Sequence, residues 1–197
     1  MTVPGTFDTS ARELIHAGLQ NLDEARSLFR QLSASGFDAA RCGLLLDALQ
    51  HVCDPDVALR NLVDIVNAQV SQGRALDDIM PDDTAFRQLV AVLGVSDAMG
   101  KLMRFRPDLV QAAATDHCNS HLYNHDQRRA HVLESVGADP NDRMSPTATM
   151  DLADAATALR RTYRNQLAAI IAQDTMSDDP IALQPRISSE LSDLADA

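Results

Sequence analysis

Apolar positions recur every three or four residues along nearly the whole chain, the period of helices that bury one face. Leu14, Leu22, Ala25, Phe29 and Leu32 form the first such stripe, with Gly18 marking a break and Gly36 a stop. Asp38 is placed to cap the next stripe, which runs through Leu45, Ala48, Leu49 and Val52. Asp54-Pro55-Asp56 is a start signal, a carboxylate for orphan amides followed by a residue that lacks one. Leu59, Leu62, Val63, Val66 and Val70 follow it and Gly73 ends the run, after which residues 71–83 read as a linker with one turn of helix. Asp82 or Asp83 then caps Phe86, Leu89, Val90 and Leu93, closed by Gly94, and Ser96 caps a short helix to Arg104. Pro107 opens another helix. Residues 137–146, rich in Gly, Pro, Asp and Asn, form the clearest boundary. Ser145-Pro146 is expected to start the longest helix, about 27 residues or on the order of 40 Å. Asp178-Asp179-Pro180 is expected to break the chain before a last helix from about Ser188.

No segment alternates with period two, so the fold class is all-α, a helical bundle. A joint near residues 71–83 would allow two packed subdomains. The boundary at 137–146 gives domains of 1–140, an amino-terminal helical domain, and 141–197, the long helix and the last helix. Aromatic residues make up only 4% of the chain and there is no Trp, so the core is built from Leu, Ala, Val, Ile and Met.

Charge narrows the function classes. The balance is 17 basic against 28 acidic residues, a formal −11. Such a surface repels phosphate backbones, which argues against nucleic acid as a partner. Cys42, Cys53 and Cys118 form no C-x-x-C pair and read as buried reduced thiols of a cytoplasmic protein. The start of the chain lacks a signal-peptide pattern, and no apolar run is long enough to span a membrane.

Three groups of residues could carry chemistry. His117, His121 and His125 are spaced four apart, so that two of them could share a metal ion on one helix face. Three stacked over two turns do not converge on one ion, and a solvated polar face explains them as well. Phe86 through Leu102 has the outline of a helix-turn-helix, but its second helix carries Asp97 and Gly100 where a DNA reader needs cations. Arg160, Arg161 and Arg164 cluster on the long helix as a candidate contact for an anion or a partner, with a solvated face or pairing to Asp151, Asp154 or the acidic tail as the plainer alternative. Arg128 and Arg129 form a second basic spot. There is no Walker loop, G-x-G-x-x-G or G-x-S-x-G. No catalytic and no cofactor-binding residue is identified.

The closing residues carry a resemblance. Leu159-Arg-Arg-Thr-Tyr-Arg-Asn-Gln-Leu-Ala-Ala-Ile-Ile-Ala-Gln-Asp174, followed by Glu190-Leu-Ser-Asp-Leu-Ala-Asp-Ala197, resembles the actinobacterial glutamine synthetase adenylyltransferases. Blocks at Leu28–Leu32, Asp54–Leu62, Leu89–Leu102 and Arg106–Leu109 look like the same family in the same order, whereas roughly residues 111–145 do not. The resemblance implies a bifunctional enzyme with two nucleotidyltransferase domains separated by helical regions. One domain attaches AMP from ATP to a tyrosine of glutamine synthetase, and the other removes it by phosphorolysis, under control of glutamine and a PII-type protein. It also implies that this chain is the amino-terminal helical part, lying ahead of its own downstream nucleotidyltransferase domain. ATP and Mg²⁺ are implied for the full-length protein and not for this part, because the family's G-[GS]-x-[DE] and D-x-D residues have no counterpart here. The part is expected to be inert alone. A free-standing helical protein-interaction module, or less readily a helix-turn-helix DNA-binding regulator, are the other readings.

Overall fold

The computed structural model describes residues 9–114, 124–177 and 179–196, and these are helical with no strand among them. The all-α expectation holds. The chain divides into two compact units, Met1–Thr115 and Asp116–Ala197. The division lies neither near 71–83 nor at 140/141. The helices flanking residues 71–83 pack on each other, and the helix before residue 140 packs on those after it.

The first unit contains α1 (Ala11–His16), α2 (Leu22–Ala34), α3 (Ala39–Leu49), α4 (Pro55–Ser71), α5 (Leu76–Ile79), α6 (Asp83–Val95), α7 (Asp97–Met103) and α8 (Pro107–Ala114). Its starts follow cap chemistry: Asp38, Asp54, Asp82 and Ser96 each accept an amide of their own first turn. Asp56 does more than extend a start signal. Its carboxylate accepts the amides of Gln20 at 3.0 Å and Asn21 at 3.3 Å, fixing the α1–α2 joint on the head of α4.

α6 is the central helix of this unit. Every residue from Gln88 to Gly94 is buried, as for a helix apolar all round, and it packs against α3, α4, α7 and α8. Gly94 therefore does not close the helix, which runs on to Val95. It is buried because a Cβ there would come within 2.8 Å of the Val52 Cβ. Gly100 has the same role on α7, where a Cβ would meet the Asn61 Cγ at 2.4 Å.

The second unit contains α9 (His125–Ser135), α10 (Leu152–Thr175) and α11 (Pro180–Asp196), each packed on the other two. α10 begins at Asp151, whose carboxylate accepts the amides of Ala153 and Asp154 at 3.0 Å, and not at Ser145-Pro146. The residues before it are held elsewhere. Thr149 donates its amide to the Val136 carbonyl and its hydroxyl to the Gly137 carbonyl, both at 3.2 Å, so this stretch lies along the end of α9. Gly137 has φ +72° and leaves no room for a Cβ beside the Thr149 hydroxyl. α11 begins at Pro180, not near Ser188, with the Asp179 carboxylate accepting the Ala182 amide at 3.0 Å. Pro185 sits inside that helix on its exposed side.

Two small apolar clusters fill the second unit. Val136, Ala138 and Ala155 pack with Leu133 and Ala158, and Ile170, Ile187 and Leu194 pack with Leu167 and Leu183. Between them along α10 lie the buried polar residues Thr162 and Gln166.

Candidate functional site

The position of Glu190 is set by the periodicity of α11. Leu183, Ile187 and Leu194 mark its inner face, and Glu190 falls on that face, three residues after Ile187 and four before Leu194. Its carboxylate is met from α9 by Arg128, which is 1% exposed. The same guanidinium donates to the Gln166 Oε1 of α10 at 2.7 Å, so one planar cation ties all three helices of the unit together. Arg128 is thus a buried structural residue and not part of a surface anion spot. Arg129 is likewise engaged, donating to the Pro140 and Asp142 carbonyls at 3.3 and 3.2 Å. The Asp142 carboxyl lies below its ordinary range, chiefly because it accepts the Ser145 and Met144 amides.

Of the three histidines, His117 and His121 lie outside the described residues. His125 opens α9 and its Nδ1 is 3.3 Å from a carboxylate oxygen of Asp193 on α11. Among the described residues, no three His, Cys, Asp or Glu side chains gather as metal ligands would. Cys53 is exposed, against the expectation of a buried thiol, because it lies in the turn between α3 and α4. Cys42 is buried in α3, and burial pushes its thiol pKa up, aided by the Asp38 charge and opposed by the Ser33 hydroxyl. A thiol raised in this way is not an activated nucleophile, which leaves Cys42 a packing residue of α3.

The helix-turn-helix outline corresponds to α6 and α7, joined by Ser96 alone, where that motif has a turn of about three or four residues. The cations on and just after α7 are also engaged: Lys101 pairs with Asp97 at 2.6 Å and Arg104 with Asp64 at 3.5 Å.

A pocket of about 140 Å³ opens in the first unit, with Phe37, Leu44, Met80 and Phe86 as its apolar lining. Arg41 and Asp77 at its rim are paired with each other, and Asp82 caps α6. Small-molecule sites generally begin at about 300 Å³, and this pocket is smaller. Among the described residues the glycines with positive φ stand singly at 18, 36, 73 and 137, not as a phosphate-cradling run.

The arginines of α10 are arranged differently from every other cation discussed so far. No acidic residue occurs between Asp154 and Asp174. Among the described residues Arg160 and Arg164 make no ion pair, and Arg161 beside them is exposed. Among the described residues neither Arg160 nor Arg164 pairs with Asp151, Asp154 or the acidic tail, as on a solvated face. Leu159 and Tyr163, four residues apart on the adjoining helix face, are exposed next to them. Apolar and basic side chains thus share one exposed surface on the amino-terminal half of α10.

No family model matches the chain, and no solved structure matches it. It is similar to the bifunctional glutamine synthetase adenylyltransferase/adenylyl-removing enzyme of Bifidobacterium longum, being 63% identical over 191 residues, 97% of this chain and 18% of that protein. To the enzyme of the same name from Bifidobacterium longum subsp. infantis it is 62% identical over the same shares. To that of Corynebacterium efficiens it is 33% identical over 194 residues, 78% of this chain and 18% of that protein. The chain is homologous to a segment of these enzymes and spans about a fifth of their length.

Proposed function

We propose that this segment is the amino-terminal, non-catalytic helical part of a cytoplasmic bifunctional nucleotidyltransferase that regulates nitrogen assimilation. The longer protein attaches AMP from ATP to a tyrosine of glutamine synthetase and removes it by phosphorolysis, with a PII-type protein as regulator. The observation that carries this reading is 63% identity over 97% of the chain to a bifunctional enzyme of that name, of which the chain spans only 18%.

The side chains described fit a supporting role. Two-metal phosphoryl chemistry needs clustered carboxylates close to a triphosphate cradle. Here Asp54, Asp82 and Asp151 are occupied as helix caps, Asp56 holds a loop, and Glu190 is locked to Arg128. These residues do not fit ATP–Mg²⁺, which would belong to domains elsewhere in the longer chain. No helix among the described residues is long and apolar enough to cross a membrane.

The test has two arms. The reading frame is traced past Ala197, where a nucleotidyltransferase motif with G-G and D-x-D is expected. The longer protein and the 197-residue chain are then assayed for AMP transfer to and from purified glutamine synthetase. Activity is expected only in the longer protein. Turnover by the 197-residue chain alone would overturn the non-catalytic assignment, and a frame without such a motif would overturn the whole reading.

A further inference from the structure

Exposed apolar side chains are unevenly shared between the two units. Met144, Met150, Leu152, Leu159, Tyr163, Ile181 and Leu191 all belong to the second, which has the smaller set of described residues and two small core clusters. On α10 the exposure has an order. Leu152, Leu159 and Tyr163, exposed by 87%, 40% and 47%, fall within about 40° of one another around the helix at 100° per residue. They form a stripe about 16 Å long on the amino-terminal half of α10. Further along, Ala168, Ile170 and Ala172 are buried. Arg160 and Arg164 border the stripe on one side, four residues apart and without ion pairs among the described residues.

Such a surface wants a partner that is apolar in the middle and acidic at one edge. Apolar side chains aligned in this way gain by leaving water, and two unpaired guanidiniums beside them match carboxylates bidentately. A second copy of this chain is a poor occupant. Two molecules of charge −11 repel, and a two-fold contact on this stripe would set Arg160 and Arg164 against their own copies or against more of the same surface. The relatives are about five times longer than the chain, so most of such a polypeptide lies outside it, tethered at high effective concentration. We infer that the Leu152–Leu159–Tyr163 stripe with Arg160 and Arg164 is the seat of another domain of the same longer polypeptide, held through an apolar patch flanked by carboxylates. The inference rests on the proposed function, which supplies the longer chain.

Hydroxyl-radical footprinting tests it. Oxidation of Leu159 and Tyr163 is compared in the longer polypeptide and in the 197-residue chain. Docking predicts oxidation at least about fivefold slower in the longer polypeptide, independent of protein concentration, since an interface core excludes solvent. The double substitution Arg160→Glu/Arg164→Glu in the longer polypeptide is expected to bring the rate back to that of the short chain. Circular dichroism of the variant controls for loss of the helix itself. Equal rates in the two proteins would sink the docking, as would protection that appears only at high concentration or only when glutamine synthetase is added. Protection that survives the double substitution would remove the acidic edge from the proposal and overturn it as stated. A reading frame without further domains would sink the functional reading too, so the two failures can be told apart.

Discussion

Gln69 illustrates how single residues set the margins of this fold. It lies on α4, 1% exposed, and neither amide atom has a hydrogen-bond partner among the described residues. Leaving water without replacing its bonds costs a buried polar group about 1–3 kcal/mol. Gln69→Met keeps the volume and removes both polar atoms, so the variant is expected to be more stable by on the order of 1 kcal/mol. Urea unfolding checks this, and a lower midpoint at unchanged m-value would show that the amide is satisfied after all. Gly100 is constrained in the opposite sense, by a close approach to Asn61 that forbids even one carbon. Neither position announces itself along the chain. A glutamine or glycine looks the same in a string of letters whether its neighbour is water or another helix, because the constraint is supplied by residues distant along the chain.

At the scale of helices, the legible features were those settled within a few residues. Caps at Asp38, Asp54, Asp82 and Ser96 depend on one side-chain oxygen meeting an amide two or three residues on, and all four are in place. The starts of α10 and α11 were misplaced for nonlocal or competing reasons. Thr149 bonds back to α9 and delays α10 to Asp151. Asp178-Asp179-Pro180 reads as a break, yet Asp179-Pro180 carries the same start chemistry as Asp54-Pro55 and opens α11 at once, with Pro185 tolerated on the exposed face of the helix. The buried Arg128–Gln166–Glu190 trio left one local trace, an acid on the apolar face of α11, whereas nothing near Arg128 marks it as buried. Because that trio joins three helices, it yields a pairwise test. Arg128→Met should strand the Glu190 carboxylate and destabilise the protein by about 3–5 kcal/mol. Adding Glu190→Leu should recover most of the loss, giving a large coupling energy in the double-mutant cycle. Hydrogen exchange at amides of α9, α10 and α11 reads out the effect where it arises. Additive losses would show that the pair does not act as a unit.

At the scale of the whole chain, charge decides more than any motif. A helix-turn-helix outline, sixteen arginines and a basic cluster on α10 could be added up to a nucleic-acid binder if each were taken alone. The sum points the other way. Acidic residues outnumber basic ones by 28 to 17, Lys101 and Arg104 are paired, Arg128 is buried, and α6 and α7 meet at a one-residue joint. The basic cluster on α10 is by itself too short to follow a phosphate backbone, since useful affinity requires neutralising about 6–10 phosphates. The chain is therefore expected not to shift a duplex of about 20 base pairs at about 50 mM salt and a protein concentration of about 10 µM, within the range where nonspecific DNA binding is normally seen. Gel-shift or anisotropy titration measures it. Binding whose logarithm falls steeply with the logarithm of salt would mean that the arginines of α10 act together with further cations of the chain, and would move the stripe beside them from a protein-facing to a nucleic-acid-facing surface.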